Sequence, residues 1–157
     1  MCALEAVLSD EVLMMKRLFL VIGMLLVAAL AVTGGRTVSA QGASTADGIF
    51  TDAQATRGMA SAIEACGACH GPDLTGGDFA PGIAGAAFIG RWEGESLDTL
   101  VTKVTQTMPL DRPGALTAEE YSDIMAYMLQ ASGHAAGDAT FGVGEAANAD
   151  VTIAPAP

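Results

Sequence analysis

Residues 66–71 read Cys-Gly-Ala-Cys-His-Gly, two thiols three positions apart with an imidazole directly after the second. Cys66, Cys69 and His70 admit four readings: a metal site, a thiol redox pair, a covalent haem attachment site, or a chance pairing without chemistry. A zinc ion takes four protein ligands, or three and a water. The motif offers three, but His70 adjoins Cys69, an awkward placement around one tetrahedral ion. There is no second Cys-x-x-Cys, and the only other histidine is His134. A thioredoxin-like pair calls for a strand leading into the motif and a surrounding sheet. The flanking residues show neither pattern.

The N-terminal region narrows the choice. Lys16 and Arg17 precede an apolar run from Leu18 to Val32. That run, about 15 residues, has the length of a secretory signal and is short for a membrane span. Val38-Ser39-Ala40 places small residues at both cleavage-site positions, so cleavage is expected after Ala40. An uncleaved membrane anchor facing the periplasm is the alternative. Glu5, Asp10 and Glu11 do not suit a signal, which points to a true start at Met14 or Met15 and to loss of Cys2 with the leader. Cysteines of an exported chain seldom stay free at this spacing, which disfavours chance.

Haem attachment suits both motif and export. Each thiol can add to one haem vinyl group, and the next residue, His70, can ligate the iron from below; Cys-x-x-Cys-His is the c-type attachment pattern. A buried cofactor would also supplement a thin core, since only 5% of residues are aromatic. The net charge of −11 excludes the phosphate-contacting classes and disfavours docking on anionic lipid. It survives removal of residues 1–40, which carry three acidic and three basic side chains. Such a surface suits a partner with a basic patch, although a merely solvated acidic surface has the same composition.

The remaining chain reads as helices joined by Gly/Pro-rich loops. Residues 41–49 are small and polar, a loose arm. Thr51 and Gln54 form a capping box for a helix that should end at the cysteine motif, where glycines begin. Residues 71–90 are too broken by glycine and proline for regular structure. Ser96 caps a second helix with a Leu97, Leu100, Val101, Val104 stripe, stopped by Met108-Pro109. Thr117 and Glu120 cap a third, with Tyr121, Ile124, Met125 and Met128 on its apolar face and Gly133 beyond its end. Residues 138–157 read as an extended tail. The fold class is all-α, with three main helices.

A sixth iron ligand can come from Met59, Met108, Met125, Met128 or His134. Met125 and Met128 belong to an apolar stripe and read as core. Met59 lies within the first helix, before the motif. His134 follows a helix stop in a Gly/Ala stretch and reads as surface. Met108 ends a helix before a proline, where a loop can hold its sulfur rigidly; ordinary core is the alternative role.

With these residues placed, the chain from about Phe50 to Gly137 resembles a class I c-type cytochrome, a small monohaem bacterial member. The likeness rests on "CGACHG", on "TMPLDRPGALTAEEYSDIMAYML" and on the 38-residue separation of His70 and Met108. The stretch "LTGGDFAPGIAGAAFIGRWEGESLDTL" is further similar to cytochromes associated with periplasmic quinoprotein dehydrogenases. The resemblance implies a small cytochrome c fold wrapped around one covalently attached haem c. It implies thioether bonds from Cys66 and Cys69, and His70 and Met108 as iron ligands. The Pro81 carbonyl would accept the proximal imidazole N–H, and Trp92 with Arg91 would reach a haem propionate; core filling is the other reading of Trp92. Gly58 would let the first and last helices cross closely, near Tyr121 or Tyr127. Many relatives carry an aromatic residue four positions before the first cysteine, where this chain has Ala62.

The expected function is a periplasmic electron carrier, not an enzyme, serving redox proteins with a basic docking patch. Alternatives are the cytochrome subunit of a quinoprotein dehydrogenase, a haem sensor or enzyme with an open iron site, and a thiol or metal module without haem. No nucleic acid is expected, and membrane contact only if the signal is uncleaved.

Overall fold

The structure is a computed structural model that describes residues 43–156. The signal segment, its cleavage after Ala40, the start at Met14 or Met15 and Cys2 lie outside the described residues. Four α-helices follow in order: α1 (Asp52–His70), α2 (Gly85–Trp92), α3 (Leu97–Thr107) and α4 (Ala118–Ala131). Short 3-10 helices at Thr45–Asp47 and Ala146–Asp150 flank them. Isolated bridges occur, but there is no strand among the described residues. No helix among these residues is long and apolar enough to cross a membrane.

The caps are local chemistry. The Gln54 N–H donates to Thr51 Oγ1 at 3.2 Å, and Gln54 Oε1 accepts from the Thr51 N–H at 3.4 Å. Thr117 and Glu120 repeat this at α4, and Ser96 Oγ accepts the Thr99 N–H at α3. Each such cap satisfies helix-end donors and contributes about 1 kcal/mol.

α1 and α4 are the principal packed pair. They cross at Gly58, where a Cβ would lie 1.8 Å from the Asp123 carbonyl oxygen. Beside the crossing, Arg57 Nε and Nη2 donate to the two Asp123 carboxylate oxygens at 2.7 and 2.8 Å. This fork sets the register of one helix on the other. Tyr121, Ile124, Met125, Met128 and Leu129 of α4 are buried with Ala55 and Ala62 of α1. Ala62 is fully buried and belongs to the core cluster.

Five sequence expectations are corrected. α1 does not stop at the cysteines but runs through them to His70, because Gly67 continues the helix and Gly71, at φ +88°, ends it. α2 lies within residues predicted to be irregular. It has no side-chain cap; the Gly85 N–H donates instead to Ser132 Oγ at 3.1 Å, beyond the end of α4, and Phe88 is buried. Tertiary contacts thus supply what local propensity lacks.

The arm and tail are also built into the fold. Phe141, Val151 and Ile153 join the core. The Gln54 side chain donates from Nε2 to the Phe141 carbonyl at 2.8 Å and accepts the Phe141 N–H at Oε1 at 3.0 Å. Thr45, in the arm expected to be loose, is fully buried, accepts the Ala154 N–H at 2.9 Å and lies 3.2 Å from His134 Nδ1. The small polar arm becomes ordered because the tail gives its backbone partners.

His134, read as surface, is buried at 3% exposure, and its Nε2 has no hydrogen-bond partner among the described residues. Burial pushes its pKa below the ordinary imidazole value. A depressed folded pKa means that, as pH falls below the unfolded value of about 6.5, the unfolded chain takes up a proton before the folded one does. Stability present above that pH is therefore lost on acidification. The expected outcome is that the urea midpoint of the wild type falls more between pH 7 and pH 5 than that of His134→Gln, with the two profiles running parallel above pH 7.

Candidate haem-binding site

The last turn of α1 gathers the motif. Cys66 and Cys69, three apart, share a helix face, and His70 lies one turn after Cys66. Cys66 is half-buried, Cys69 exposed and His70 buried. The thiols are not joined in a disulfide. Burial, with the neighbouring Cys69 adding to it, pushes the Cys66 thiol above its ordinary pKa.

His70 Nδ1 lies 2.6 Å from the Pro81 carbonyl oxygen. A carbonyl only accepts, so Nδ1 carries the proton and Nε2 keeps its lone pair. This fixes the ring orientation and leaves Nε2 as the nitrogen that could meet a metal.

The loop that presents Pro81 is organised by Leu74. Leu74 has φ +59°, a left-handed conformation that costs a branched side chain roughly 1–2 kcal/mol. Its side chain is fully buried, and its carbonyl accepts the N–H groups of Ile83 and Ala84 at 2.8 and 3.0 Å. The Gly76 N–H donates to the His70 carbonyl at 2.9 Å, and the Gly77 N–H to the Ala80 carbonyl at 3.0 Å. The chain is thereby folded back so that Pro81 faces the imidazole. Sequence reading missed Leu74, since nothing marks a leucine as left-handed before its contacts are known.

Met108 is the C-terminal cap of α3 and is half-buried. Its N–H donates to the Val104 carbonyl at 3.0 Å, and its carbonyl accepts the Tyr121 hydroxyl at 2.6 Å. Met125 and Met128 are buried in the core, and Met59 is 46% exposed on α1. The Arg91 guanidinium stands 5.4 Å from the centre of the Trp92 ring, at the end of α2. Trp92 packs against the core edge. His70 and Pro81 are thus brought together, as are Arg91 and Trp92, whereas no hydrogen bond among the described residues joins Met108, Arg91 or Trp92 to the His70 group.

These donors suit haem better than a bare ion. No three His, Cys, Asp or Glu side chains gather in a metal-binding group among the described residues. The protonated Nδ1 leaves His70 one nitrogen with which it could ligate a haem iron. Exposed apolar side chains lie near each motif in the chain: Ile63 before the cysteines, Phe79 before Pro81 and Leu110 after Met108. Surface of that kind is suited to an apolar macrocycle.

Residues 53–128 match the family described as cytochrome C oxidase, cbb3-type, subunit III. The matched span runs from α1 to all but the last turn of α4 and contains the cysteine motif, Pro81 and Met108. The four helices form a small cytochrome c fold. The match supports a c-type cytochrome with a haem-based electron-transfer role. No curated protein and no solved structure matches the chain. The candidate site residues come from three places: the end of α1, the loop before α2 and the end of α3.

Proposed function

We propose that this protein is a periplasmic monohaem electron carrier. The observation that carries the reading is the His70 imidazole, held through Nδ1 by Pro81 with Nε2 left to bind iron, at the end of a helical turn bearing two thiols. Bound haem supplies a one-electron Fe(III)/Fe(II) couple. Cys66 and Cys69 would hold it by two thioether bonds, and His70 Nε2 and the Met108 sulfur would ligate the iron. Two strong protein ligands leave no coordination position for a substrate, which favours a carrier over an enzyme. The Met108 thioether favours the reduced state relative to a second imidazole. Trp92 and Arg91 would reach a propionate of the bound group.

The acidic surface, at a net charge of −11, would steer the carrier onto a basic docking patch, with association slowing as salt rises. Export by the N-terminal signal, with cleavage after Ala40, places it in the periplasm, where covalent attachment of haem occurs. A second reading keeps the chemistry but holds the domain as a subunit of a larger redox complex. The matched family favours it, being described by an oxidase subunit, as does the sequence likeness to cytochromes of quinoprotein dehydrogenases.

The test is visible spectroscopy of wild type and Met108→Ala, produced with cytochrome c maturation machinery. Covalent haem and a far-red sulfur-to-iron band are expected in the oxidised wild type, with the band absent from the variant. Haem removed entirely by acid-acetone extraction would sink the reading, and survival of the band in Met108→Ala would sink the Met108 assignment. Purification at low and high salt separates the two readings: a free carrier elutes alone in both, a subunit with its complex.

A further inference from the structure

We propose that Tyr121 is the positioning residue of the Met108 ligand loop, holding the sulfur within reach of iron against competing ligands. The inference rests on the reading of Met108 as an iron ligand. Met108 is the point where α3 ends. Its N–H makes the last helical bond, to Val104, while its own backbone is already extended, at φ −128° and ψ 151°. Its carbonyl is one of the acceptors that a helix end leaves without an intrahelical partner. The next residue, Pro109, has no N–H to offer a turn.

The Tyr121 hydroxyl fills this gap from a different helix, donating to the Met108 carbonyl at 2.6 Å. Tyr121 is itself rigid. It is 4% exposed, lies in the first turn of α4 and donates its N–H to the Thr117 carbonyl at 3.0 Å, directly behind the capping box. Met108 is therefore gripped on both sides, by α3 through its N–H and by α4 through its carbonyl, and only side-chain torsions remain free. α4 is in turn locked on α1 at Gly58, and α1 ends in His70. One packed helix pair thus sets both ligand backbones, His70 by continuity of α1 and Met108 through a single phenol. Downstream of Met108, Pro109 is buried and Leu110 is 77% exposed, so the chain turns outward within two residues of the grip.

Tyr121→Phe keeps the ring and removes only the donor. The holoprotein variant should still show the far-red sulfur band when no competitor is added. Imidazole should abolish that band at a concentration about fivefold lower than for wild type, as expected for loss of one hydrogen bond worth about 1 kcal/mol. Ser122→Ala is the control. It lies one residue along α4 and loses bonds to the Ala118 carbonyl and the Val143 N–H, with no contact to Met108 in the hydrogen-bond network. It should lower the urea midpoint while leaving the imidazole titration at the wild-type position. An unchanged titration in Tyr121→Phe, or an equal shift in Ser122→Ala, overturns the proposal. Absence of the sulfur band from wild type overturns the ligand assignment itself, and this proposal with it, before any variant is compared.

Discussion

Gly58→Ala is expected to destabilise the protein by at least about 3 kcal/mol, although helix propensity alone predicts a gain of about 1 kcal/mol. Gly58 is an interior residue of α1, so alanine suits its backbone. Its Cβ, however, would lie 1.8 Å from the Asp123 carbonyl oxygen and 2.3 Å from the carbonyl carbon. Both atoms are α4 backbone, which cannot rotate away as a side chain would. The helices must separate, stretching the Arg57 fork and opening the α1/α4 seam. Gly90 in α2 is the matched control, because a Cβ there would meet nothing within 4 Å. Gly90→Ala should be neutral or stabilising by up to about 1 kcal/mol. The comparison is made by urea unfolding of the three proteins. A stable Gly58→Ala would mean that the helices do not cross at this residue. Since α1 ends in His70 and α4 carries Tyr121, the holoprotein yield of Gly58→Ala should fall with its stability.

Removal of residues 138–157 should have a still broader effect, preventing stable folding. Phe141, Val151 and Ile153 are 4%, 8% and 0% exposed. Burying each is worth about 1.5–3 kcal/mol, so their joint loss approaches the whole stability of a small domain, about 5–15 kcal/mol. The deletion also strips both tail partners from the buried Gln54 side chain and takes the Ala154 N–H from Thr45. At α3, the Leu97 N–H loses the Val151 carbonyl. A chain ending at Gly137 is expected to show no cooperative thermal transition by circular dichroism and rapid proteolysis. A melting point within a few degrees of the full chain would instead make the tail an appendage.

The tail shows where sequence reading lacked a handle. "TIAPAP" has the composition of an unstructured end, and residues 138–157 carry no helical period. Its apolar residues are too widely spaced to announce a core role, and their partners lie in segments distant in the chain. Gln54 illustrates the same limit. Its capping-box role is legible three residues from Thr51, but its second role, toward Phe141, spans 87 residues. His134 looked exposed for a similar reason: its neighbours Ala135, Ala136 and Gly133 say nothing of the arm that covers it.

What the sequence determined by itself is what depends on neighbours a few residues apart. The helix caps at Thr51, Ser96 and Thr117, the apolar stripes of α3 and α4, the proline stop after Met108 and the Cys-x-x-Cys-His turn are all of this kind. They follow because capping and helical periodicity act over three or four residues. Tertiary structure alone decided that α2 exists without its own cap and that arm and tail close the core. It also decided the left-handed Leu74 that helps to turn Pro81 onto His70 and the phenol of Tyr121 that holds Met108. The reason is common to all of them. A buried carbonyl, amide or imidazole takes whatever partner the packed chain brings to it, and that partner is set by the fold's geometry rather than by proximity in sequence.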